Sequence, residues 1–254
     1  MNYFTVFFKK ELMESVRTYK LLIMLTIFLV FGIMNPLTAK LTPDLLNTFL
    51  PEGVSITLPE PTSLDSWAQF FKNVTQMGLI VTVLVFSGIL ANEITKGTLI
   101  NLLTKGMPRQ AVLAAKYAAM LVIWSASVVL SFLVTWVYTV YLFPDGMAQN
   151  LLFSVSCLWA FGAFLLAVLL CASTIASTHY SGLLVTGAVV VVLTLLNAFP
   201  AVRDYNPLGL ASKNMALVSD SVKPQSLLPA LGITLILSVL LLVLAVVLFR
   251  KKRI

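Results

Sequence analysis

Charged residues are scarce in this sequence. Only 11% of its 254 residues are Asp, Glu, Lys or Arg, whereas 59% are hydrophobic. An average soluble domain carries roughly 25% charged residues, so this chain cannot hide its apolar surface from water. The composition predicts a polytopic membrane protein, and the apolar runs described below predict an all-α fold.

Side chains that carry chemistry are also few. The chain has one histidine and two cysteines, Cys157 and Cys171, which lie fourteen residues apart on one predicted helix. That spacing is about 21 Å along a helix, too far for a disulfide within one chain. Metal sites need several His, Cys or carboxylate ligands, and no G-x-x-x-x-G-K-[ST] phosphate loop is present. We expect no catalytic, cofactor or metal site in this chain.

Ionisable residues are absent from the middle of the apolar runs. Ion-coupled carriers usually bury such residues at mid-membrane, so the energy for any transport must come from a partner. The polar exceptions in the predicted spans include Asn35, Thr186 and Asn197. They are candidate pathway residues, and the alternative is that they make contacts between helices.

Six runs are candidates to cross a bilayer, which takes about 20 apolar residues. They predict one transmembrane domain over residues 1–254, with spans at 21–38, 72–94, 118–143, 151–175, 181–199 and 227–249. Within the second span only residues 76–90 are continuously apolar, so its full length depends on flanking residues. No small-residue cleavage site follows the first run, so we expect that run to remain as a span.

Lys and Arg are distributed unequally between the predicted loops. With six spans, 12 of the 17 basic residues fall on the side of the two termini. Because basic residues favour the cytoplasmic side, both termini are predicted to be cytoplasmic, in a protein of the cytoplasmic membrane. The positive net charge reflects this bias, so we expect membrane lipid and no nucleic acid as a partner.

The first 20 residues have an amphipathic pattern. Phe4, Phe8 and Leu12 follow each other at i, i+4 spacing, while Arg17 lies on a second face with further charged residues. This pattern is typical of a helix lying in the membrane interface. The alternative is a cytoplasmic extension of the first span. Residues 200–225 also leave two interpretations open, a helix folded back onto the outer face or an ordinary loop.

A short basic segment with its own apolar edge follows the second span. Gly97 can end the preceding helix, and Thr98 can cap a new one over residues 97–104. Leu99, Leu102 and Leu103 then form one apolar edge. That edge needs either the protein's own cytosolic helices or a groove on another protein. The alternative is a surface loop whose leucines enter the lipid headgroups.

This segment resembles the cytoplasmic loop of the type-2 ATP-binding-cassette (ABC) exporter permeases. In that family a Glu ends the second span and is followed by Gly-Thr-Leu, a short helix ending in Leu-Leu-Thr, a Pro or Ser with Arg, and a Lys opening the third span. The matching residues here are Glu93, Gly97, Thr98, Leu99, Leu102, Leu103, Thr104, Pro108, Arg109 and Lys116. The N-terminal "FKKELMESVRTYKLL" is also similar to the start of the family, with Glu11 and Arg17 in the usual places. The chain departs from the pattern at Gly106-Met107, where relatives often have Lys-Pro.

The resemblance implies a membrane subunit of an exporter for an amphipathic peptide, antibiotic or lipid-like molecule. A separate ABC ATPase in two copies would bind ATP and Mg, and a second permease copy, identical or related, would complete a path lined by the first, second and fifth spans. The candidate coupling residues are Gly97, Thr98, Leu99, Ile100, Leu102, Leu103, Thr104, Lys105 and Arg109. Glu93 is a gating candidate, expected to pair with a basic residue such as Lys20, Lys96 or Arg109 in one transport state. The alternatives are a carrier or channel without an ATPase, and a membrane sensor or assembly factor.

Overall fold

The computed structural model describes residues 3–49, 60–91, 93, 97–99, 104, 106–175 and 179–251. Every regular element in these residues is helical, as the sequence predicts. The main helices are α1 (Tyr3–Arg17), α2 (Lys20–Phe49), α3 (Ser63–Asn73), α4 (Leu79–Phe86), α5 (Arg109–Leu142), α6 (Leu151–Ile175) and α7 (His179–Leu196). They are followed by three short helices, α8 (Pro200–Arg203), α9 (Gly209–Ser212) and α10 (Asn214–Val218), by a 3₁₀ turn at Pro224–Leu227, and by α11 (Leu228–Lys251).

Five helical stretches in the described residues are long and apolar enough to cross a membrane. They are Lys20–Pro43, Ser63–Phe86, Arg109–Leu142, Leu151–Ile175 and Pro224–Lys251. The predicted fifth span, 181–199, corresponds to α7, whose apolar part Tyr180–Leu196 is shorter than these. A multi-pass membrane protein is therefore confirmed, while the count of six spans stays a prediction.

The helix of the first span is longer than predicted. It passes through Pro36, continues beyond residue 38 and includes Pro43 before it reaches Phe49. Proline has no N–H to donate to the carbonyl four residues earlier, so Pro36 leaves the Gly32 carbonyl without its usual partner. The Thr135 hydroxyl on α5 donates a hydrogen bond to that carbonyl at 3.2 Å. A neighbouring helix thus supplies the missing donor, which lets α2 continue through the proline in an apolar environment.

The second span differs most from its predicted bounds of 72–94. Its helix starts at Ser63 with Thr62 as the N-cap residue, and the Thr62 N–H donates to the Asp65 carboxylate at 2.8 Å. A π-helical turn, Val74–Gly78, separates α3 from α4. The regular helix ends at Phe86 and residues 87–90 form turns. The regular helix of the second span therefore ends at Phe86, and Ala91 and Glu93 after the turns are again helical.

The remaining spans follow their predictions more closely. The helix of the fourth begins at Leu151, as predicted, and is described as far as Ile175. The third begins at Arg109 instead of residue 118, the fifth ends at Leu196 instead of residue 199, and the last covers Leu228–Lys251. Each difference lies at a helix end, where local caps and neighbouring helices decide the boundary.

Helix α6 forms the centre of the bundle and packs against α5, α7 and α11. It is apolar on every side, which is typical of a helix surrounded by others. At Gly162 an added Cβ would lie 2.2 Å from the Trp124 ring of α5. The Trp124 indole N–H in turn donates to the Trp159 carbonyl of α6 at 3.1 Å. These contacts hold α5 and α6 in close register.

The segment between α7 and α11 folds back over one end of the bundle. Leu210, Leu217 and Val218 are buried there, and helices α9 and α10 pack against α6. The Gln149 N–H donates to the Val218 carbonyl at 2.9 Å. Of the two interpretations of residues 200–225, the structure therefore has short helices folded onto the bundle. We call this the far end of the molecule. We call the opposite end, where α1 lies, the cluster end, after the cluster of charged side chains described below.

Helix α1 is separate from the first span, because Tyr19 breaks the chain direction with a left-handed φ of 60°. It packs against α5 through an inward face of Phe7, Glu11 and Ser15. Phe4 on the predicted apolar face is 38% exposed, and Phe8 and Leu12 are half-buried. The interfacial position of α1 stays a prediction, and its partly exposed aromatic face is compatible with lipid contact.

Candidate functional site

Five charged side chains meet at the cluster end, and we call them the charge cluster. They are Lys10, Glu11 and Glu14 from α1, Glu93 from the segment after α4, and Lys116 from α5. Glu11 and Glu14 approach each other because residues three apart lie on neighbouring parts of one helix face. Lys116 reaches the cluster because α5 starts at Arg109, two turns before it.

The ion pairs of the charge cluster connect three separate parts of the chain. The Lys116 Nζ lies 2.8 Å from a Glu93 carboxylate oxygen and 3.0 Å from a Glu11 oxygen. Lys10 bonds the other oxygen of Glu93 and lies 2.7 Å from Glu14 and 3.0 Å from Glu11. Each ammonium thus joins carboxylates from α1 and from the segment after the second span.

Most of the charge cluster is out of contact with water. The side chains of Lys116, Glu93 and Glu11 are 1%, 5% and 6% exposed, respectively. Phe7 covers the cluster from α1, with its ring centre 4.9 Å from the Lys10 ammonium and 5.5 Å from that of Lys116. Removing one partner from a buried ion pair is strongly destabilising, because the other charge stays buried and unpaired.

The surroundings of Glu93 and Lys10 shift their pKa values in opposite directions. Burial opposes ionisation of Glu93, but the charges of Lys116 and Lys10 and their hydrogen bonds outweigh it, so its pKa is lowered. Burial likewise opposes protonation of Lys10, yet the hydrogen bonds from Lys10 to Glu14 and Glu93 and the charge of Glu11 outweigh it and raise its pKa. Both residues are therefore charged at neutral pH.

The carboxylates Glu11, Glu14 and Glu93 lie within 4.8 Å of one another, a spacing that would suit a metal ion. In this structure the two ammonium groups already bind these carboxylate oxygens. In this structure the cluster is therefore an ion-pair network that joins α1, α5 and the segment containing Glu93.

The predicted coupling segment starts directly beside the charge cluster. Gly97 adopts the left-handed φ of 68° expected of a glycine that ends a helix, and Thr98 and Leu99 are helical. The Thr98 hydroxyl donates to the Glu93 carbonyl at 3.3 Å, and Leu99 is fully buried. Thr104 is also helical. The remaining predicted coupling residues Ile100, Leu102, Leu103 and Lys105 lie outside the described residues.

Comparison with protein families decides what kind of membrane protein this is. Residues 5–254 match the model of the family described as "ABC-2 family transporter protein". The chain belongs to the ABC-2 family. The match covers nearly the whole sequence, so the chain is a membrane permease subunit of a type-2 ABC transporter, a class that lacks ATP-binding motifs and associates with an ABC ATPase. A search of the curated proteins gave no match.

Glu93 of this ABC-2 permease pairs with two lysines in this structure, and its predicted pairing in another transport state stays a prediction. The sequence prediction named Lys20, Lys96 and Arg109, whereas the structure pairs Glu93 with Lys10 and Lys116. The reason is the break after Phe86, which turns the chain so that residue 93 points at the start of α5 and at α1. Lys96 lies outside the described residues.

Arg109 of the permease lies in a contact within its own chain. One of its guanidinium nitrogens donates to the carbonyls of Phe249 and Arg250, at 2.6 Å and 2.9 Å. The guanidinium also lies 5.6 Å from the centre of the Phe249 ring. It thus satisfies free carbonyls at the C-terminal end of α11, where a positive charge is favoured by the helix dipole.

The polar residues proposed for a pathway do not come together. Asn35 is fully buried between spans, where it donates to Thr135 at 3.3 Å and accepts from Asn73 at 2.7 Å. Thr186 donates to the carbonyl one turn earlier on α7, and Asn197 lies at the end of the same helix. Asn35 thus makes contacts between helices in this structure, and its place in a pathway stays a prediction.

Lys10 and Glu14 were not singled out from the sequence, and Glu11 and Lys116 were named only as positions of the family pattern. A signal for them existed, since acids are rare on the side of the termini and Glu11, Glu14 and Glu93 all occur there. Charged residues near apolar spans tend to pair with one another. The pairing itself depends on how α1 folds against α5, which the sequence pattern does not specify.

Proposed function

We propose that this permease is the membrane subunit of an exporter for an amphipathic molecule. Two copies of the chain, or one copy and a relative, would form the membrane part, and two copies of a separate ABC ATPase would supply the energy. The route would run along the first, second and fifth spans, which correspond to α2, to α3 with α4, and to α7. The resemblance of residues 93–116 to exporter permeases supports export as the direction of transport. It also supports peptides, antibiotics and lipid-like molecules as the substrate classes.

The observation that carries the mechanism is the position of the charge cluster between the coupling segment and two helices. Glu93 is bound through its carbonyl to Thr98 and through its carboxylate to Lys10 and Lys116. A displacement of residues 97–104 by the ATPase would therefore act on α1 and on α5 at once. The contacts are short and largely buried, so water does not compete with them.

We propose that α7 is the sixth crossing and that both termini are cytoplasmic. Support comes from two contacts at the cluster end. Lys116 binds Glu11 near the start of the chain, and Arg109, two turns earlier on α5, binds the carbonyls at the end of α11. The beginning and the end of the described chain thus lie at one end of the bundle, which requires an even number of crossings.

The coupling role is tested by replacing Glu93 and Lys116 together with methionine. This pair of changes keeps the net charge and the approximate volume, and apolar replacement of a buried ion pair is often tolerated by the fold. We expect transport in vesicles to fall about tenfold, the size of a typical coupling energy, while the complex with the ATPase still assembles.

The matched control is the pair Lys213 and Asp204 at the far end, which form an exposed ion pair at 3.1 Å. Replacing both with methionine should leave transport and substrate-stimulated ATP hydrolysis unchanged. Wild-type transport in the Glu93→Met, Lys116→Met variant would contradict the coupling role of the charge cluster.

Binding of the ATPase is tested at the predicted leucine edge. Leu102→Ala with Leu103→Ala should weaken ATPase binding by about 2 kcal/mol or more, as expected for buried anchors of an interface. Lys105→Ala, at the rim, should have little effect. Pull-down of the ATPase measures both. If the double alanine variant binds and couples normally and loses only stability in lipid, these leucines contact the membrane instead.

A further inference from the structure

An apolar cleft of about 480 Å³ opens between the second and fifth spans of a single chain. One wall is formed by the π-helical turn and α4, the other by α7, and the floor by α6 through Phe161 and Leu165. Helix α2 contributes no side chain among the residues lining it. The cleft therefore lies along the second and fifth spans of the proposed route and not along the first.

The polar groups of the cleft are concentrated towards the far end. The Thr75 hydroxyl oxygen is buried and has no hydrogen-bond partner within the described residues, and the neighbouring Gln76 is exposed. From Thr75 to Leu84 at the opposite end, the wall is about 13 Å long. Apart from Thr186, whose hydroxyl donates to the Gly182 carbonyl at 2.8 Å, the rest of the lining is apolar.

A positive charge lies beyond this polar end. Lys72 is exposed and occurs four residues before Gln76, on a stripe of exposed residues that continues with Ile80 and Leu84 along the wall. Lys72 forms no ion pair within the described part of the chain. A cation on a membrane-length helix without a protein partner favours an anion at the same depth.

The backbone at the polar end is also unusual. The π-helical turn Val74–Gly78 carries both Thr75 and Gln76. Such single π turns inside α-helices frequently occur at functional sites. Here the turn interrupts the regular helix at the position where the apolar wall meets the polar groups.

We propose that this cleft binds the acyl chain of an anionic membrane lipid, with the headgroup at Lys72 and Gln76. The cleft is within the usual volume range of ligand sites, about 300–1,000 Å³. Its apolar body matches a hydrocarbon chain, and its single polar and cationic end matches a negatively charged headgroup. A second copy of the chain is the rival occupant of the cleft. Packing against a second copy would not require an apolar body with one cationic end. The site belongs to one chain and requires no ATPase.

The test uses the full chain alone, purified and placed in phosphatidylcholine nanodiscs that contain a phosphatidylglycerol with a photoreactive acyl chain. After illumination, mass spectrometry should find the label on peptides covering residues 79–84 and 183–190. A second preparation uses a phosphatidylcholine probe with the same chain, which separates headgroup recognition from chain binding.

Gly187 offers a substitution that fills the cleft. It lines the cleft, and an added Cβ would meet nothing within 4 Å, so Gly187→Phe places a ring in open space. We expect labelling of the cleft peptides to fall at least about tenfold. Gly232→Phe on α11 is the matched control, because Gly232 is also open but lies outside the cleft. Gly187→Leu serves as a second variant if the phenylalanine variant does not fold.

The charge at Lys72 is tested in the same way. Lys72→Gln should reduce labelling by the phosphatidylglycerol probe to the level of the phosphatidylcholine probe. The control is Lys40→Gln, which should not reduce labelling, because Lys40 is also exposed towards the same end but lies on α2. Equal labelling of wild type and Gly187→Phe or Gly187→Leu would overturn the proposal. Cleft peptides of the wild type that stay unlabelled by the phosphatidylglycerol probe would overturn it as well. Neither result bears on coupling to the ATPase, which is absent from this experiment.

Discussion

At the scale of single residues, Glu93 and Lys116 decide the properties of the charge cluster. Both are almost fully buried and bind each other at 2.8 Å. Glu93→Gln leaves Lys116 with only one of its two carboxylate partners. We expect a loss of about 3 kcal/mol in stability, the lower end of the range for breaking a buried ion pair, measured as a lower unfolding temperature at pH 7.

The pH dependence of the same variant follows from the lowered pKa of Glu93. A carboxylate with a lowered folded-state pKa stabilises the fold above its ordinary value of 4.5, and this stabilisation is lost as the pH falls through the folded-state value. The pKa of Lys10 is raised, so its stabilisation of the fold is fully present below the ordinary lysine pKa of 10.5. This stabilisation is lost as the pH rises through the folded-state pKa of Lys10. The contributions of these two residues should be constant from about pH 5 to 10. Glu93→Gln should remove part of the acid-side loss, and an unchanged acid limb would contradict the assignment.

Gly162 is the residue at which packing leaves no room. An added Cβ would lie 2.2 Å from Trp124, so Gly162→Ala must displace the indole ring and its hydrogen bond to α6. We expect a cost of about 1–3 kcal/mol for overpacking, seen as a lower unfolding temperature in detergent. Gly187→Ala is the matched control, since its Cβ meets open space. Equal stability of the two alanine variants would show that α5 and α6 can separate freely.

At the scale of elements, the first span illustrates how a neighbouring helix supports a proline. The Gly32 carbonyl, left without a donor by Pro36, accepts from the Thr135 hydroxyl. Thr135 also accepts from Asn35. The close approach of α2 and α5 at Gly32, where an added Cβ would lie 2.9 Å from the Val134 Cβ, makes both bonds attainable.

Thr135→Val tests this support. The substitution keeps the shape of the side chain but removes the hydroxyl, so the Gly32 carbonyl and the Asn35 amide lose a partner. We expect a loss of about 1–3 kcal/mol for leaving buried polar groups unsatisfied, measured by thermal unfolding. Thr194→Val is the control, because Thr194 is exposed and donates only within its own helix. A loss no greater in Thr135→Val than in Thr194→Val would mean that α2 does not need the hydroxyl.

At the scale of the whole molecule, the number of crossings determines which faces of the protein meet water on each side. With six crossings, Glu60 lies outside and Lys251 lies inside. Both native cysteines are buried, so single cysteines added at these exposed positions should give a clear signal. We expect Glu60→Cys to react with a membrane-impermeant maleimide in intact cells, and Lys251→Cys only after permeabilisation.

Tyr205→Cys provides the decisive third position, since Tyr205 follows α7 and is 52% exposed. It should react in intact cells, like Glu60→Cys, if α7 crosses the membrane. Reaction of both Glu60→Cys and Lys251→Cys in intact cells would mean that α7 does not cross and that the chain has five spans.

The sequence by itself determined the membrane class, the family, the helical fold and the approximate place of each span. These follow from hydrophobic run length and from the residues around Glu93, which are local properties of the chain. The start of the fourth helix at Leu151 was predicted to the residue because the apolar run begins there. The turn at Gly97 was predicted because glycine adopts a left-handed backbone conformation at little cost.

Only the tertiary structure decided which charges meet and where several helices end. Lys10 and Lys116 are 106 residues apart in the chain, and their common approach to Glu93 depends on the packing of α1 against α5. The same holds for Arg109 at the end of α11 and for Thr135 at the Gly32 carbonyl. Each of these contacts satisfies a polar group that has no partner nearby in sequence, and burial away from water makes such partners necessary.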